Sequence, residues 1–88
     1  MNLIEEMIGQ EVVLDAASMY VFLGRVDSFD HRYVVLTEAD VHDLRDSTTT
    51  RERYVIEARM HGVRPNRKKV IVDLSQIVSI SPLEAVID

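Results

Sequence analysis

Residues 21–36 read V-F-L-G-R-V-D-S-F-D-H-R-Y-V-V-L, and the predicted fold is organised around them. Two apolar runs, at 21–23 and 33–36, flank a polar break at 30–32. Runs rich in β-branched and aromatic residues on either side of a short polar break are typical of two strands joined by a tight turn. We therefore predict a β-hairpin with its turn at 30–32.

Gly24 lies inside the first strand of this hairpin, two places before Val26, so both residues face the same side of the pleat. A glycine at this position weakens the strand, but it lets the strand bend or lets another backbone approach closely. A bent strand allows a short sheet to curl. The sequence therefore predicts a small, strongly bent sheet of the barrel type.

The length and composition limit the class of protein. The chain has 88 residues, and we predict a single domain over 1–88 whose core is small enough that association with further copies would add useful burial. It has no cysteine, which excludes a disulfide framework and a thiolate metal site. It has no apolar run long enough to span a membrane and no leader of the signal-peptide type, so we expect a cytoplasmic protein without a membrane partner.

The charge is distributed unevenly along the chain. The net charge of −5 argues against a protein that coats nucleic acid with its whole surface. Eight of the ten basic residues and three of the fifteen acidic ones lie in residues 45–69, so this segment carries +5 and the remainder carries −10. Such a segment can bind an anionic partner, can neutralise the acidic face of a neighbouring copy, or can be ordinary solvated charge.

The residues before the hairpin predict a short helix and a strand. Asn2 is a candidate N-cap with Glu5 three places later, and Gly9 can end the helix in a left-handed conformation. About two helical turns are not stable alone, so the apolar stripe should pack on the sheet: Leu3, Ile4, Met7 and Ile8. Residues 11–15 then predict the first strand and 16–18 its turn.

Residues 37–44 alternate with polar side chains, which predicts a strand that leaves the core for solvent. Residues 45–66 interrupt the sheet pattern as an insertion. Within it, the capping-box spacing Thr49-x-x-Glu52 and the glycine cap Gly62 predict a helix over 50–61. The competing interpretation is a strand, because alternate residues are apolar there: Tyr54, Ile56, Ala58 and Met60.

Two further strands are predicted at 70–74 and 77–80, separated by Ser75 and Gln76, with Pro82 ending the last one. The predicted fold is therefore mainly β. It is a small barrel of the Sm-like or SH3-like type, made of a strongly bent five-stranded antiparallel sheet. A short N-terminal helix precedes the sheet, and a helix is inserted between strands 3 and 4.

These elements resemble the Sm-like (LSm) protein family. The family's first motif has a V-x-V-x-L type strand, a glycine, an apolar residue two places later, F-D at a turn and an apolar strand. The matching residues here are Val12, Val13, Leu14, Gly24, Val26, Phe29, Asp30, Val34, Val35 and Leu36. Residues 70–72 and 77–80 resemble the second motif. The resemblance covers about residues 3–40 and 70–81 and leaves the middle of the chain unmatched.

Three departures bear on the function that this resemblance implies. The family's asparagine after F-D is absent, since Asp30 is followed by His31, and the run to Leu36 is one residue shorter. The family's Arg-Gly before the last strand is replaced by Asp73-Leu74, and the turn at 16–20 is longer than usual. The missing groups contact RNA bases in the family, and a carboxylate repels phosphate, so we expect weak RNA binding without a uridine preference.

The resemblance implies a ring-forming homo-oligomer of about five to seven copies, joined through the last two strands. The apolar residues of those strands are then the expected oligomer interface: Val70, Ile71, Val72, Leu74, Ile77, Val78 and Ile80. The candidate residues for binding single-stranded RNA or another polyanion are His31, Arg32, Tyr33, Arg67, Lys68 and Lys69. Tyr33 can stack on a base and Arg32 can meet a phosphate, although Tyr33 is equally the first apolar residue of its strand.

The remaining side chains do not predict catalysis. His42 lies near Asp40, Asp43 and Asp46, but neighbours on a strand point to opposite faces and define no ligand set. His31 and His61 are single histidines, for which solvated or capping roles suffice. No nucleophile and base pair or phosphate loop is present, so we expect no enzyme, no metal and no cofactor.

Two classes of function remain. The first is an Sm-like ring that binds single-stranded RNA or another polyanion, which the resemblance favours. The second is a non-enzymatic oligomeric scaffold or protein-interaction module without RNA, which the altered motifs favour. A third alternative is an SH3-like barrel that binds a protein partner as a monomer.

Overall fold

The computed structural model describes residues 2–88, which form one antiparallel five-stranded sheet with a single α-helix between its third and fourth strands. The elements are a 3₁₀ helix (Leu3–Met7), β1 (Glu11–Ala16), β2 (Tyr20–Phe29), β3 (Tyr33–Asp43), a 3₁₀ turn (Leu44–Asp46), α1 (Arg51–His61), β4 (Arg67–Asp73), a 3₁₀ turn (Leu74–Gln76), β5 (Ile77–Pro82) and a 3₁₀ turn (Leu83–Ala85). The strand order is β4-β3-β2-β1-β5, so β4 and β5 are the two edges. The predicted mainly β fold is confirmed.

The central hairpin forms as the sequence predicts. Asp30 Oδ1 accepts hydrogen bonds from the backbone N–H groups of Arg32 (2.8 Å) and Tyr33 (2.7 Å), which closes the turn between β2 and β3. An added Cβ at Gly24 would lie 3.1 Å from the Cβ of Ala39 and 3.2 Å from that of Leu36. The pairing of β2 with β3 also shifts register beside Gly24. The close approach that the glycine predicts is therefore confirmed.

The two faces of the sheet carry separate apolar clusters. The strand-side cluster contains Val12, Leu14, Val26, Val34, Leu36, Ala39 and Val72, and Ile4 and Met7 of the first 3₁₀ helix pack against it. The helix-side cluster lies on the other face and contains Val13, Val21, Leu23, Leu44, Val55, Ala58 and Leu83. Alternation along β1 explains the division, because successive side chains of a strand point to opposite faces.

The second half of β3 differs from its prediction. Three of residues 37–44 are buried and not solvated: Ala39, Asp40 and Leu44. This part of β3 pairs with the beginning of β2, where Phe22 faces Val41. The prediction was wrong because Ala39 packs into the strand-side cluster, while α1 covers Asp40 and Leu44 on the other face.

The helix prediction for residues 50–61 is confirmed, with α1 at Arg51–His61, and the competing strand is wrong. Its N-cap is Thr50, whose Oγ1 accepts a hydrogen bond from the Arg53 N–H at 3.2 Å. The cap therefore lies one residue after the Thr49 of the predicted capping box. Gly62 has a φ of +91° and donates its N–H to the Ala58 carbonyl, as a glycine cap requires.

The N-terminal helix is shorter and tighter than predicted. It is a 3₁₀ helix in which Asn2 Oδ1 accepts the Ile4 N–H at 2.8 Å, so the predicted N-cap is confirmed. Gly9 has the expected positive φ of +85°. Leu3 and Ile8, however, are exposed. Ile8 lies after the end of the 3₁₀ helix. Within the helix, three residues per turn place Ile4 and Met7, but not Leu3, against the sheet.

The last two strands lie near their predicted positions with different ends. β4 begins at Arg67, three residues before the predicted start, and it includes the basic residues that the sequence had placed before the strand. Leu74 belongs to the 3₁₀ turn that follows β4, and β5 extends to Pro82. Pairing with β3 explains the early start, since Ala39 faces Arg67 and Thr37 faces Lys69.

Candidate nucleic-acid interface

The turn between β2 and β3 presents three of the predicted RNA-binding residues together. His31 and Arg32 are exposed, and Tyr33 is half-buried at the start of β3. The Arg32 guanidinium lies 5.2 Å from the centroid of the Tyr33 ring, a cation–π distance. The arrangement offers a cation and an aromatic surface side by side, which are the groups that bind the phosphates and bases of single strands.

The turn is held against the junction of β4 with the following 3₁₀ turn. The Leu74 N–H donates to the Arg32 carbonyl at 2.8 Å. The Arg32 Nη2 lies 3.9 Å from Asp73 Oδ2, an ion pair whose arginine side chain is 62% exposed. An exposed pair at this distance contributes little stability, so Arg32 can exchange Asp73 for another anion.

Two carboxylates oppose an anionic ligand here. The pKa of Asp30 lies below its ordinary value because the backbone N–H groups of Arg32 and Tyr33 donate to the carboxylate. The pKa of Asp73 is lowered because the backbone and side chain of Ser75 donate to it. Both groups are therefore ionised at neutral pH. Hydrogen bonds to the charged form explain both shifts.

The basic residues of β4 form a second group. Arg67, Lys68 and Lys69 are all exposed. Because strand side chains alternate, Lys68 points to the face opposite from Arg67 and Lys69. Tyr33 faces Asp73 while Thr37 faces Lys69, so about 13 Å of strand separates Lys69 from the turn. Within one chain, the structure does not bring the two predicted halves of the site together.

The predicted interface residues lie on the two edge strands or beside them. Ile71 on β4 and Val78 on β5 are 61% and 73% exposed. Val72 is buried in the strand-side cluster of its own chain. The other four pack partly against that cluster: Val70, Leu74, Ile77 and Ile80. The free side chains at the edges are therefore Ile71 and Val78, and the outer backbone of β4 and β5 has no strand partner within residues 2–88.

The histidines outside the turn have structural partners. His42 stacks on Tyr54 with ring centroids 3.9 Å apart and planes at 7°. The His61 Nε2 lies 3.4 Å from Glu57 Oε2 on the same helix. In residues 2–88 there is no group of three or more histidine and acidic side chains placed to hold a metal ion. Nor does this part of the chain contain a helix long and apolar enough to cross a membrane.

Two polar residues tie the insertion to the sheet by hydrogen bonds, and the sequence did not predict this role for either of them. Asn66 makes four hydrogen bonds to residues 39–41: its N–H to the Ala39 carbonyl, Nδ2 to the Val41 carbonyl and to Asp40 Oδ1, and Oδ1 from the Val41 N–H. Arg51 donates to Asp15 and to the carbonyls of Ser18 and Tyr20. The Pro65-Asn66 pair indicated only the end of an element, and nothing local to Arg51 marks partners more than thirty residues away.

Comparison with solved structures identifies the fold. The chain is similar to an Sm protein of Pyrococcus abyssii, solved in complex with a uridine heptamer, with a TM-score of 0.62 and 18% identity over 91% of this chain and 92% of that one. It is also similar to a heptameric archaeal Sm protein, with a TM-score of 0.57 and 19% identity over 89% and 91% of the two chains. No protein-family model and no curated protein sequence matches the chain. The chain has the Sm fold, which confirms the fold that the sequence motifs implied.

Proposed function

We propose that this chain, which has the Sm fold, assembles into a homo-oligomeric ring and binds single-stranded RNA or another polyanion weakly. The observation that carries the proposal is the position of β4 and β5 at the two edges of the sheet. Each edge presents unpaired backbone groups that pair readily with another strand. If the β4 edge of one copy pairs with the β5 edge of the next, the contact is head-to-tail and repeats around a closed ring.

The exposed side chains support pairing at these edges. Ile71 and Val78 are large apolar residues on the edge strands, and no side chain of residues 2–88 covers either of them well. An exposed apolar edge that stays unpaired invites aggregation, and pairing between copies removes that hazard. We propose about five to seven copies, a range that includes the heptamer of the similar archaeal protein.

Light scattering behind a sizing column tests the assembly. We expect a discrete species of about five to seven chains. The variant Ile71→Lys should shift this species to smaller ones without unfolding the chain, because a charge on an edge strand opposes pairing and Ile71 is already largely exposed. The matched control is Ile87→Lys, since Ile87 is exposed but lies outside both edge strands. A monomer at every concentration would refute the ring.

The nucleic-acid part of the proposal depends on the turn. Tyr33 beside Arg32 supports sequence-tolerant stacking worth about 1–3 kcal/mol per base. Asp30 and Asp73 weaken phosphate binding, and no asparagine or arginine stands where the Sm-like motifs would provide base contacts. We therefore propose binding without a preference for uridine, and no catalysis.

Fluorescence anisotropy with labelled oligo-U and oligo-A tests this binding. We expect similar affinities for the two at low salt and a steep loss at moderate salt, because phosphate contacts release counterions. Arg32→Ala should weaken both equally. Tight binding selective for oligo-U would contradict the proposed site.

The basic residues of β4 provide a second test. Replacing Arg67, Lys68 and Lys69 with glutamine should abolish polyanion binding while the oligomer persists. The contacts of one copy are weak, and usable affinity comes from their repetition around a ring. The replacement removes them from every copy at once. Loss of the oligomer instead would indicate that these residues neutralise an acidic face of the next copy. The polyanion proposal would then fail for this segment.

A second candidate function is an oligomeric scaffold that binds no RNA. The carboxylates of Asp30 and Asp73 favour it, because both are ionised at neutral pH and flank Arg32 and Tyr33. The absorbance ratio at 260 and 280 nm of the purified protein separates the two candidates. Copurifying nucleic acid supports the first, and its absence together with no oligonucleotide binding at low salt supports the scaffold.

A further inference from the structure

A cavity of about 260 Å³ lies between β3 and α1, and no residue of the turn at 30–32 lines it. Asp40 of β3 contributes a carboxylate to its lining, and Tyr54 and Ala58 of α1 contribute an aromatic and an aliphatic surface. Glu57 and Arg64 add charges of opposite sign. The cavity thus combines apolar walls with a small number of polar groups, as ligand sites do.

Asp40 is the one buried charged residue of residues 2–88, with 8% of its surface exposed. It accepts one hydrogen bond, from Asn66 Nδ2 to Oδ1 at 3.2 Å. It takes part in none of the ion pairs formed within the described chain. Buried carboxylates are normally paired with a cation, because desolvation of an unpaired charge is costly. Burial accordingly raises the pKa of Asp40.

The groups around Asp40 favour a cationic ligand. Glu57 is half-exposed; its Oε1 lies 3.8 Å from Arg53 Nη1 and its Oε2 lies 3.4 Å from His61 Nε2. Arg64 is exposed and forms no ion pair with residues 2–88. Apart from His61, the charged side chains of the lining are two carboxylates and one guanidinium, so the formal charges of these three groups favour a cation.

The wall of the cavity is fixed in place. His42 stacks on Tyr54 at 3.9 Å, which holds the tyrosine ring, and the hydrogen bonds of Asn66 to residues 39–41 hold the strand beneath it. A fixed wall lowers the ordering cost of binding.

The acidic and histidine side chains do not converge as a metal site would require, and the volume is below the usual range for larger ligands.

We propose that this cavity binds a small organic cation whose ammonium or guanidinium group meets Asp40, with its carbon chain against Tyr54 and Ala58. Asp40 Oδ2 accepts no hydrogen bond from residues 2–88 and is the acceptor for that group. None of the lining residues belongs to the turn at 30–32 or to the edge strands β4 and β5, so the binding test requires neither the proposed ring nor RNA binding.

Titration of agmatine into the ¹⁵N-labelled chain, followed by two-dimensional NMR, tests the site, because agmatine carries both an ammonium and a guanidinium group. We expect saturable shifts at the amides of residues 54–62. Asp40→Asn should weaken binding at least about tenfold, as loss of the central charge of a buried pair does. The matched control is Glu38→Gln, which removes the same charge from the same strand at an exposed position and should bind as the wild type does.

A second variant and two further probes make the outcome decisive. Arg64→Gln removes a competing cation and should tighten agmatine binding. Equal affinities in the wild type and in Asp40→Asn, or saturable shifts of these amides with inorganic phosphate and not with agmatine, would overturn the proposal. A short peptide with one central arginine, titrated in parallel, distinguishes a partner's side chain from a free cation. The probe that binds more tightly identifies the source.

Discussion

The strand-side and helix-side clusters stabilise the same sheet by different means. On the strand side, all seven buried residues belong to strands, and six of them are at most 1% exposed: Val12, Leu14, Val26, Val34, Leu36 and Ala39. On the helix side, α1 contributes only two buried residues, Val55 and Ala58. Hydrogen bonds supplement these two apolar residues. Arg51 donates to Asp15, and Asn66 forms hydrogen bonds with residues 39–41.

Because the two faces are stabilised by different interactions, we expect them to unfold locally at different free energies. Hydrophobic burial contributes more to stability than polar contacts do, and local opening takes the lowest free energy where few apolar contacts are lost. We therefore expect α1 to open more readily than the hairpin of β2 and β3. Native-state hydrogen exchange with equal protection in α1 and the hairpin would contradict this expectation.

The greatest loss of stability is expected from Leu36→Ala on the strand side. Leu36 is fully buried, and truncation of such a leucine costs about 2–5 kcal/mol through lost transfer energy and the cavity left behind. That is a large part of the stability of a small domain. Urea denaturation followed by circular dichroism measures it. Leu3→Ala, at a 73% exposed position, should change the free energy of unfolding by less than about 0.5 kcal/mol.

Gly24→Ala should destabilise the same side by about 1–3 kcal/mol, because the new methyl group would be forced against Ala39 and Leu36 in a filled core. The same denaturation measurement applies. Ser28→Ala, on an exposed position of β2, controls for adding alanine to this strand. If the two variants are equally stable, the close approach of the strands does not restrict this position.

Thr50→Ala should reduce stability by about 1 kcal/mol, since it removes the side-chain acceptor at the N-terminus of α1. If the two sides open separately, amide exchange should accelerate in α1 and remain unchanged in the hairpin. Thr48→Ala is the matched control, because Thr48 is exposed and lies outside the cap. Uniform acceleration over the chain would show that the two sides open as one unit.

The weakest effect is expected from Asp40→Asn, which should stabilise the chain at neutral pH. Burial raises the folded pKa of Asp40 above its ordinary value of 3.8, so the ionised carboxylate is less favourable in the folded chain than in the unfolded one. Between these two pKa values the folded state binds more protons, and the free energy of unfolding falls as pH rises.

The advantage of the asparagine variant should therefore be fully present above the folded pKa and disappear below pH 3.8. Denaturation curves of both proteins across this range check the sign. Glu38→Gln should show no such change with pH. A variant that is less stable at neutral pH would contradict this expectation.

The candidate site was predictable where its chemistry is local. The sequence placed Arg32 beside Tyr33 in a turn that follows Asp30, and the structure has that turn. It did not show that Asp73 lies opposite Tyr33, or that Lys69 lies four strand positions away from that pair. Those relations depend on the register between β3 and β4, which residues 44–66 separate in the chain and which local patterns do not specify.

The elements that could be predicted from the amino-acid order are those whose causes lie within a few residues. Apolar runs on either side of a polar break specify the hairpin. The Thr49-x-x-Glu52 spacing and Gly62 indicated the ends of α1, although the N-cap is Thr50, one residue later. Gly24 marked a close approach because a side chain there would not fit. Each of these signals acts through backbone geometry or side-chain periodicity, which do not depend on distant partners.

The folded arrangement was needed to show which strands are edges, where α1 rests and which polar residues are buried. Asp40 and Leu44 follow a polar pattern, yet they are enclosed because α1 crosses the sheet above them. Val72 and Ile71 are adjacent and equally apolar, but pairing with β3 places Val72 in the strand-side cluster and leaves Ile71 exposed. Long-range pairing fixes these outcomes, because burial depends on what covers a residue as well as on the residue itself.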